Sequence, residues 1–240
     1  MGHIKVLGII PARSGSKSFV NKNLAKVQGK TLIEWAVFVG KKSKHITDVY
    51  ISTDSKEYED IAKKAGALSK GMRPSNLASD SATTQDVIVD LLPKIEVKYD
   101  YIVLLQPTSP MRKALDVDQM IEKLETNKGL NAIVSLERLE EPHPHKLKVI
   151  NSKGLISSFI PGTTSEIPKQ QLPAVYKLNG SIYIVKYDKF LEKKTLFPKN
   201  TLSHFMDKNV NIDLEEDLIF LDVYLNHHGI DLEKFIKSEI

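Results

Sequence analysis

Short β-rich runs alternating with helical periods predict a layered α/β protein around a mainly parallel sheet. The apolar runs Ile4 to Ile10 and Tyr101 to Leu105 are unbroken, as in strands buried on both faces, and the segments between strands repeat apolar residues at helical spacing. A three-layer, Rossmann-like arrangement follows. With 240 residues, 41% of them hydrophobic, the chain can bury one good core, so a single domain over residues 1–240 is expected.

Taken in order, Ile4 to Ile10 forms the first strand, and Thr31 to Lys42 a nearly all-apolar helix that belongs in the core with Trp35 at its centre. Val49 to Ser52 reads as a strand. Tyr58, Ile61, Ala62 and Ala65 then mark a helical stripe. Tyr101 to Leu105 is the next strand, Val117, Met120, Ile121 and Leu124 repeat the stripe, and Ala132 to Leu136 closes the unit. From Pro142 to Pro173 the chain turns rich in Pro, Gly, Ser and Thr. An Asn151 to Gly154 turn there separates Leu147 to Ile150 from Leu155 to Ile160, a hairpin excursion covering about residues 140–175. Ser181 to Val185 reads as a strand and Leu214 to Asn226 as a C-terminal helix.

Composition excludes several classes. The net charge is only +4, and outside the first thirty residues acids and bases interleave, so no nucleic-acid partner is expected. No apolar stretch reaches the roughly 20 residues of a membrane span, and the N-terminus runs into a strand without a signal-peptide pattern. A soluble cytoplasmic protein with no membrane association is the expectation. The lack of cysteine removes disulfides, thiolate metal sites and a cysteine nucleophile together.

In open parallel sheets ligands sit beyond the carboxyl ends of the strands, and three loops leaving strands are unusual here. The first carries Arg13, Lys17, Lys22, Lys26 and Lys30 between Pro11 and Lys30 with no carboxylate, which suits a polyphosphate cradle. It fits neither the Walker A spacing nor a dinucleotide fingerprint, and a solvated lysine loop is the competing account. The second, Gln106 to Arg112, holds a Gln amide and two hydroxyls between prolines that fix φ, suited to polar recognition or to a simple capped turn. In the third, alternation places Asn211 and Asp213 on one side as hard oxygen ligands for Mg²⁺. Asp213 with Glu216 also fits a helix capping box.

Arg13-Ser-Gly-Ser-Lys17 with Lys22-Asn23-Leu24, Arg73-Pro74 with Leu77 to Asp80, Leu104 to Arg112, Gln170 to Pro173, Asn179 to Tyr183, and Ile212-Asp213 form six ordered blocks from residue 4 to about 225. With these blocks the chain resembles the CMP-N-acetylneuraminate (sialic acid) synthetases and their relatives acting on other nine-carbon acidic sugars. The resemblance implies a nucleotide-diphospho-sugar transferase fold, a homodimer made through the excursion, and CTP plus a sugar acid giving CMP-sugar and pyrophosphate. It also implies that Arg13, Lys17, Lys22 and Asn23 hold the triphosphate, Arg73 and Thr84 the cytidine, and Gln106 and Tyr183 the sugar. Gln170, Gln171 and Asn179 fall in its substrate-binding motifs. Lys146 and Lys169 fall where basic residues are donated across the dimer, and Lys177 where an arginine near the sugar is usual. Asp213 and Asn211 would hold Mg²⁺ or Mn²⁺.

The chemistry agrees with these residue types. Attack by a sugar hydroxyl on the α-phosphorus builds charge on phosphate oxygens, which cations stabilise by electrostatics and alignment without a nucleophilic side chain. Three departures are visible: Asn211 replaces an aspartate, Lys169 and Lys177 stand where relatives show arginine, and Leu196-Phe197 stands where some show two aromatics. The lysines point toward sugars such as legionaminic or pseudaminic acid beside N-acetylneuraminate, and Asn211 implies weaker metal binding unless Asp217 or water compensates. An eight-carbon (3-deoxy-manno-octulosonate) cytidylyltransferase and a non-catalytic nucleotide binder are the rival readings. Asp80, Thr83 and Asp86 fit the start of a helix as well as a nucleotide role beside Thr84, and His143 and His145 lack a third ligand for zinc.

Overall fold

The computed structural model describes residues 4–206 and 209–238. The chain enters on β1 (Val6–Pro11), passes a small ribbon of β2 (Lys26–Val27) and β3 (Lys30–Thr31), and continues into α1 (Leu32–Lys42). There follow β4 (Asp48–Ser52), α2 (Lys56–Lys64), β5 (Leu68–Ser69), α3 (Thr84–Leu91), β6 (Tyr101–Leu105), α4 (Ala114–Thr126) and β7 (Ala132–Arg138). The excursion carries the hairpin β8 (Lys148–Ile150) and β9 (Ile156–Ser158). The chain ends through β10 (Tyr176–Lys186), α5 (Tyr187–Lys193), β11 (Thr201–Phe205), α6 (Glu215–His227) and α7 (Leu232–Lys237).

Seven strands form the main sheet in the order β11-β7-β10-β6-β1-β4-β5. Pairings among β6, β1, β4 and β5, and between β7 and β11, are parallel, while β10 runs antiparallel to both β6 and β7. The cause lies in the excursion. It leaves the carboxyl end of β7 and β10 returns from that same end, Tyr176 opposite Arg138, so no crossover helix is needed. The excursion thus shares a rim with the loops that follow β1, β4 and β6.

Alternation along β1 sends Val6 and Ile10 to a core packed by α1, α2, α4, α6 and α7, and Leu7 and Ile9 to a second core packed by α3 and α5. This is the expected three-layer arrangement. α1 begins at a capping box between Thr31 and Glu34, a contact worth about 1 kcal/mol. Trp35 is buried as expected and donates its indole N–H to the Val27 carbonyl at 2.9 Å. Gly40 lets this helix approach the sheet, since a Cβ there would lie 2.7 Å from a Val49 methyl.

The structure extends several expectations. β10 begins five residues before Ser181 because a bulge at Asn179-Gly180 carries the strand onward, with Gly180 at a φ of +71°. The strands β5 and β11 and the short helices α5 and α7 were not foreseen. No helix among the described residues is long and apolar enough to cross a membrane.

Candidate active site

The loops after β1 and β6 meet the segment before α6 around a cleft of about 480 Å³, lined among others by Arg13, Lys17, Lys22, Asn23, Gln106 and Asp213. The cationic loop is anchored at both ends. Asp54, just past β4, accepts from the Ser14 amide at 2.9 Å and from its hydroxyl at 2.8 Å. The buried Asn23 donates to the Arg13 carbonyl at 3.0 Å, so its amide orients the loop as well as facing the cleft.

The cations are not free. Arg13 and Lys17 pair with Asp80 at 2.8 and 2.6 Å, and Lys22 pairs with Asp213 at 3.0 Å. Hydrogen bonds from Lys17 and then Arg13 hold the Asp80 carboxyl below the usual carboxylate range. Asp80 therefore does not start the next helix, which Thr83 and Asp86 cap reciprocally, leaving Thr84 as the first helical residue of α3. A polyphosphate entering the cleft exchanges with a carboxylate already bound there.

Gln106 to Arg112 is braced from within. The fully buried Arg112 donates to the carbonyls of Ser109 at 3.0 Å, Ser181 at 2.9 Å, and Gln106. Burial pushes its pKa down to about 9, so it stays charged at neutral pH. The Thr108 carbonyl accepts from the Ile212 amide at 2.7 Å, which fixes the third loop against the second. Ser109 donates to Asn211 Oδ1 at 3.1 Å, and Asn211 donates to Asp213 Oδ2 at 2.7 Å.

The capping-box expectation needs correction. α6 begins at Glu215, so the acid three residues beyond the cap position Leu214 is Asp217 and not Glu216, and it accepts from the amides of Asp213 and Leu214 at 2.8 Å each. This leaves the Asp213 carboxylate to Lys22 and Asn211. No group of three metal-type side chains occurs among the described residues. Asn211 turns its Nδ2 toward Asp213 and its Oδ1 toward Ser109, so only a flip of this amide would set its oxygen beside the carboxylate; Asp213 would fit Mg²⁺ carried in with phosphate oxygens, not a cage made by protein alone.

Asp213 also lines a second cleft of about 440 Å³, with Lys177, Tyr183, Asn211, Asp217 and Phe220. Lys177 is tied to Glu137 across the β7/β10 ladder at 2.7 Å. Tyr183 meets Phe197 edge to face at 5.7 Å, whereas Leu196 is buried in the core. Asn179 lines this cleft, but its amide is engaged in the bulge: Oδ1 accepts from the Ser135 hydroxyl at 2.6 Å and the Ser181 amide at 3.1 Å, and Nδ2 reaches the Met206 sulfur. Its side chain therefore shapes the wall instead of presenting a free hydrogen-bonding group.

Other expected residues lie apart. Arg73 is buried beside Asp54, where desolvation lowers its pKa and the carboxylate partly offsets that. Lys146, Lys169, Gln170 and Gln171 line neither cleft within one chain; Lys146 donates to the carbonyls of Ser165 and Ile167, and Lys169 pairs with Glu141 at 3.2 Å. Both ring nitrogens of His143 are engaged, with the Pro173 carbonyl and the His145 amide, which suits structure and not zinc. A hollow of about 500 Å³ lined by Lys98, Tyr101, Glu125 and Asp188 sits at the amino end of β6, away from all these groups. Sequence reasoning missed Asp54, Glu137 and Arg112; for Asp54 its place directly after a strand's carboxyl end was an available signal.

A family model described as cytidylyltransferase matches residues 7–154. The chain is 32% identical over 220 residues to post-translational flagellin modification protein B of Campylobacter coli, covering 90% of this chain and 92% of that one. It is 32% identical over 223 residues to CMP-N,N'-diacetyllegionaminic acid synthase of Legionella pneumophila, covering 89% and 93%. Against N-acylneuraminate cytidylyltransferase of Streptococcus agalactiae serotype III the identity is also 32%, over 92% of this chain but 52% of the relative, so the chain spans about half of that protein. In fold it is similar to a solved CMP:2-keto-3-deoxy-manno-octonic acid synthetase complexed with CTP, with a TM-score of 0.71 at 19% identity over 93% of this chain and 99% of that one. With more than half of its length under the family model and two relatives matched nearly end to end, this chain belongs to the cytidylyltransferase family.

Proposed function

We propose that this cytidylyltransferase joins CTP to a nine-carbon acidic sugar, sialic acid or a relative such as legionaminic or pseudaminic acid. One observation carries the reading: a cation-lined cleft and a polar, aromatic-walled cleft meet at Asp213, so a phosphate donor in one and a hydroxyl acceptor in the other would share that point. The sugar oxygen forms a bond to the α-phosphorus, the bond from that phosphorus to the β-phosphate oxygen breaks with the electron pair leaving on pyrophosphate, and the hydroxyl proton passes to solvent water. The products are CMP-sugar and pyrophosphate. Arg13, Lys17, Lys22 and Asn23 hold the triphosphate, and Arg73 with Thr84 the cytosine. Gln106, Lys177 and Tyr183 meet the sugar, in a wall shaped by Asn179. Asp213 and, after rotation of its amide, Asn211 would hold Mg²⁺ or Mn²⁺, which when bound would neutralise phosphate charge.

The working unit is a homodimer in the cytoplasm, where CTP is made. Val149, Ile150, Leu155, Ile156 and Phe159 stand exposed on the excursion, and Ile219 and Val223 on α6; such a spread of apolar surface is costly unless covered. A second copy seated there brings Lys146, Lys169, Gln170 and Gln171 toward a neighbouring sugar cleft. Pyrophosphate release with CTP, Mg²⁺ and a panel of sugar acids tests the whole reading. Turnover with nine-carbon acids is expected; turnover confined to the eight-carbon acid, or thermal shifts without product, would overturn it.

A further inference from the structure

Most polar anchors around the first cleft hold one loop. Asp54 holds two. Its Oδ1 and Oδ2 accept from the amide and hydroxyl of Ser14 in the cationic loop, and Oδ1 also lies 3.8 Å from Arg73 Nη2. The main chain repeats the link one residue earlier, where the Thr53 carbonyl accepts from the Arg73 amide at 2.7 Å. The Asp54 backbone is itself fixed, because β4 ends at Ser52 and Ser55 caps α2 by accepting from the Tyr58 amide.

Arg73 makes the arrangement informative. Its side chain is 4% exposed, and its Nε and Nη2 are buried without a hydrogen-bond partner. Unpaired buried donors on a guanidinium are costly, and although Arg73 lines neither cleft, an acceptor supplied by a ligand would relieve that cost. Asp54 supplies the counter-charge that keeps it there without consuming those donors, since 3.8 Å is beyond a hydrogen bond. The same carboxylate sets the height of the loop that carries Arg13 and Lys17.

We propose that Asp54 is a positioning residue that couples the phosphate loop to Arg73, so that triphosphate and nucleobase are bound in one fixed register. This rests on the nucleotide reading above. The loop and the arginine sit on separate connections whose backbones are each bonded to the end of β4, Ala12 to Ser52 and Arg73 to Thr53, and the shared carboxylate adds the link between their side chains. Mispositioning at either end then weakens both.

Asp54→Asn tests this, because the amide keeps the shape but cannot accept at both positions and loses the charge. Calorimetry with inorganic pyrophosphate and, separately, with the phosphate-free nucleoside cytidine reads the two ends. Both affinities are expected to fall about fivefold or more, with the KM for CTP rising about tenfold while kcat changes by less than about threefold. A carboxylate that serves only the fold would lower the melting temperature and the active fraction and leave KM unchanged, and that result overturns the proposal. So does a loss confined to one probe. Should the variant fail to fold, Ser14→Ala replaces it; weaker cytidine binding is expected although Ser14 lies in the phosphate loop, and unchanged cytidine binding overturns the coupling. Wild-type protein that neither binds CTP nor releases pyrophosphate would sink the nucleotide reading itself, whereas active wild type with an unaffected Asp54→Asn sinks this inference alone.

Discussion

The two clefts that meet at Asp213 are built on different terms. Around the first, the loops are braced from within, by Asn23 to Arg13 and Arg112 to Ser109 and Gln106, and to one another, by Asp54 to Ser14 and Thr108 to Ile212. Its cations are fixed and already balanced by Asp80 and Asp213. The second cleft holds one lysine, neutralised by Glu137, and the other basic residues assigned to it remain on the excursion. Preorganised charge is complete within one chain where phosphate chemistry demands it, whereas under the proposed dimer a second copy would finish the acceptor side.

The largest expected effect comes from the finished side. Arg13→Ala should lower kcat/KM for CTP a hundredfold or more, equivalent to about 2.7–4 kcal/mol for losing a charge-assisted contact in the transition state, with an unchanged circular dichroism melt. Retained activity would break the contrast at its stronger end. On the unfinished side, Ile156→Asp places a charge on an exposed strand of the hairpin. It should yield monomers in sedimentation and raise the KM for the sugar about tenfold while the KM for CTP stays within about twofold. Equal losses for both substrates would show that the clefts are not independent in this way. Asp80→Asn should act in the opposite direction and least: removing the carboxylate that competes for Arg13 and Lys17 lowers the KM for CTP by less than about fivefold, since exposed ion pairs are weak. A higher KM would make Asp80 part of the nucleotide site.

Legibility follows the same division of forces. β1, α1 and β6 could be read because burial on all sides demands unbroken apolar runs. β5, with two residues, and α7, with six, are too short for any period to stand out, and edge β11 reads Thr-Leu-Ser-His-Phe, with too few apolar residues for a run to stand out. The lone cations Arg13, Lys17 and Lys22 were visible because no acid stood near them in sequence. Their pairing with acids was not, since Asp80 reaches Arg13 and Lys17, and Asp213 reaches Lys22, from distant loops and only folding brings them together. Asp217 was missed in favour of Glu216 because the start of α6 lies one residue later than the pattern suggested, and a single step decides which acid faces the helix amides.

Crystals soaked with CTP and Mg²⁺ test the central claim most directly. The account predicts triphosphate density between Lys22 and Arg13, cytosine against Arg73, and Asp80 displaced from Arg13 and Lys17. Nucleotide bound elsewhere, with the pairs of Asp80 and Lys22 intact, would contradict it.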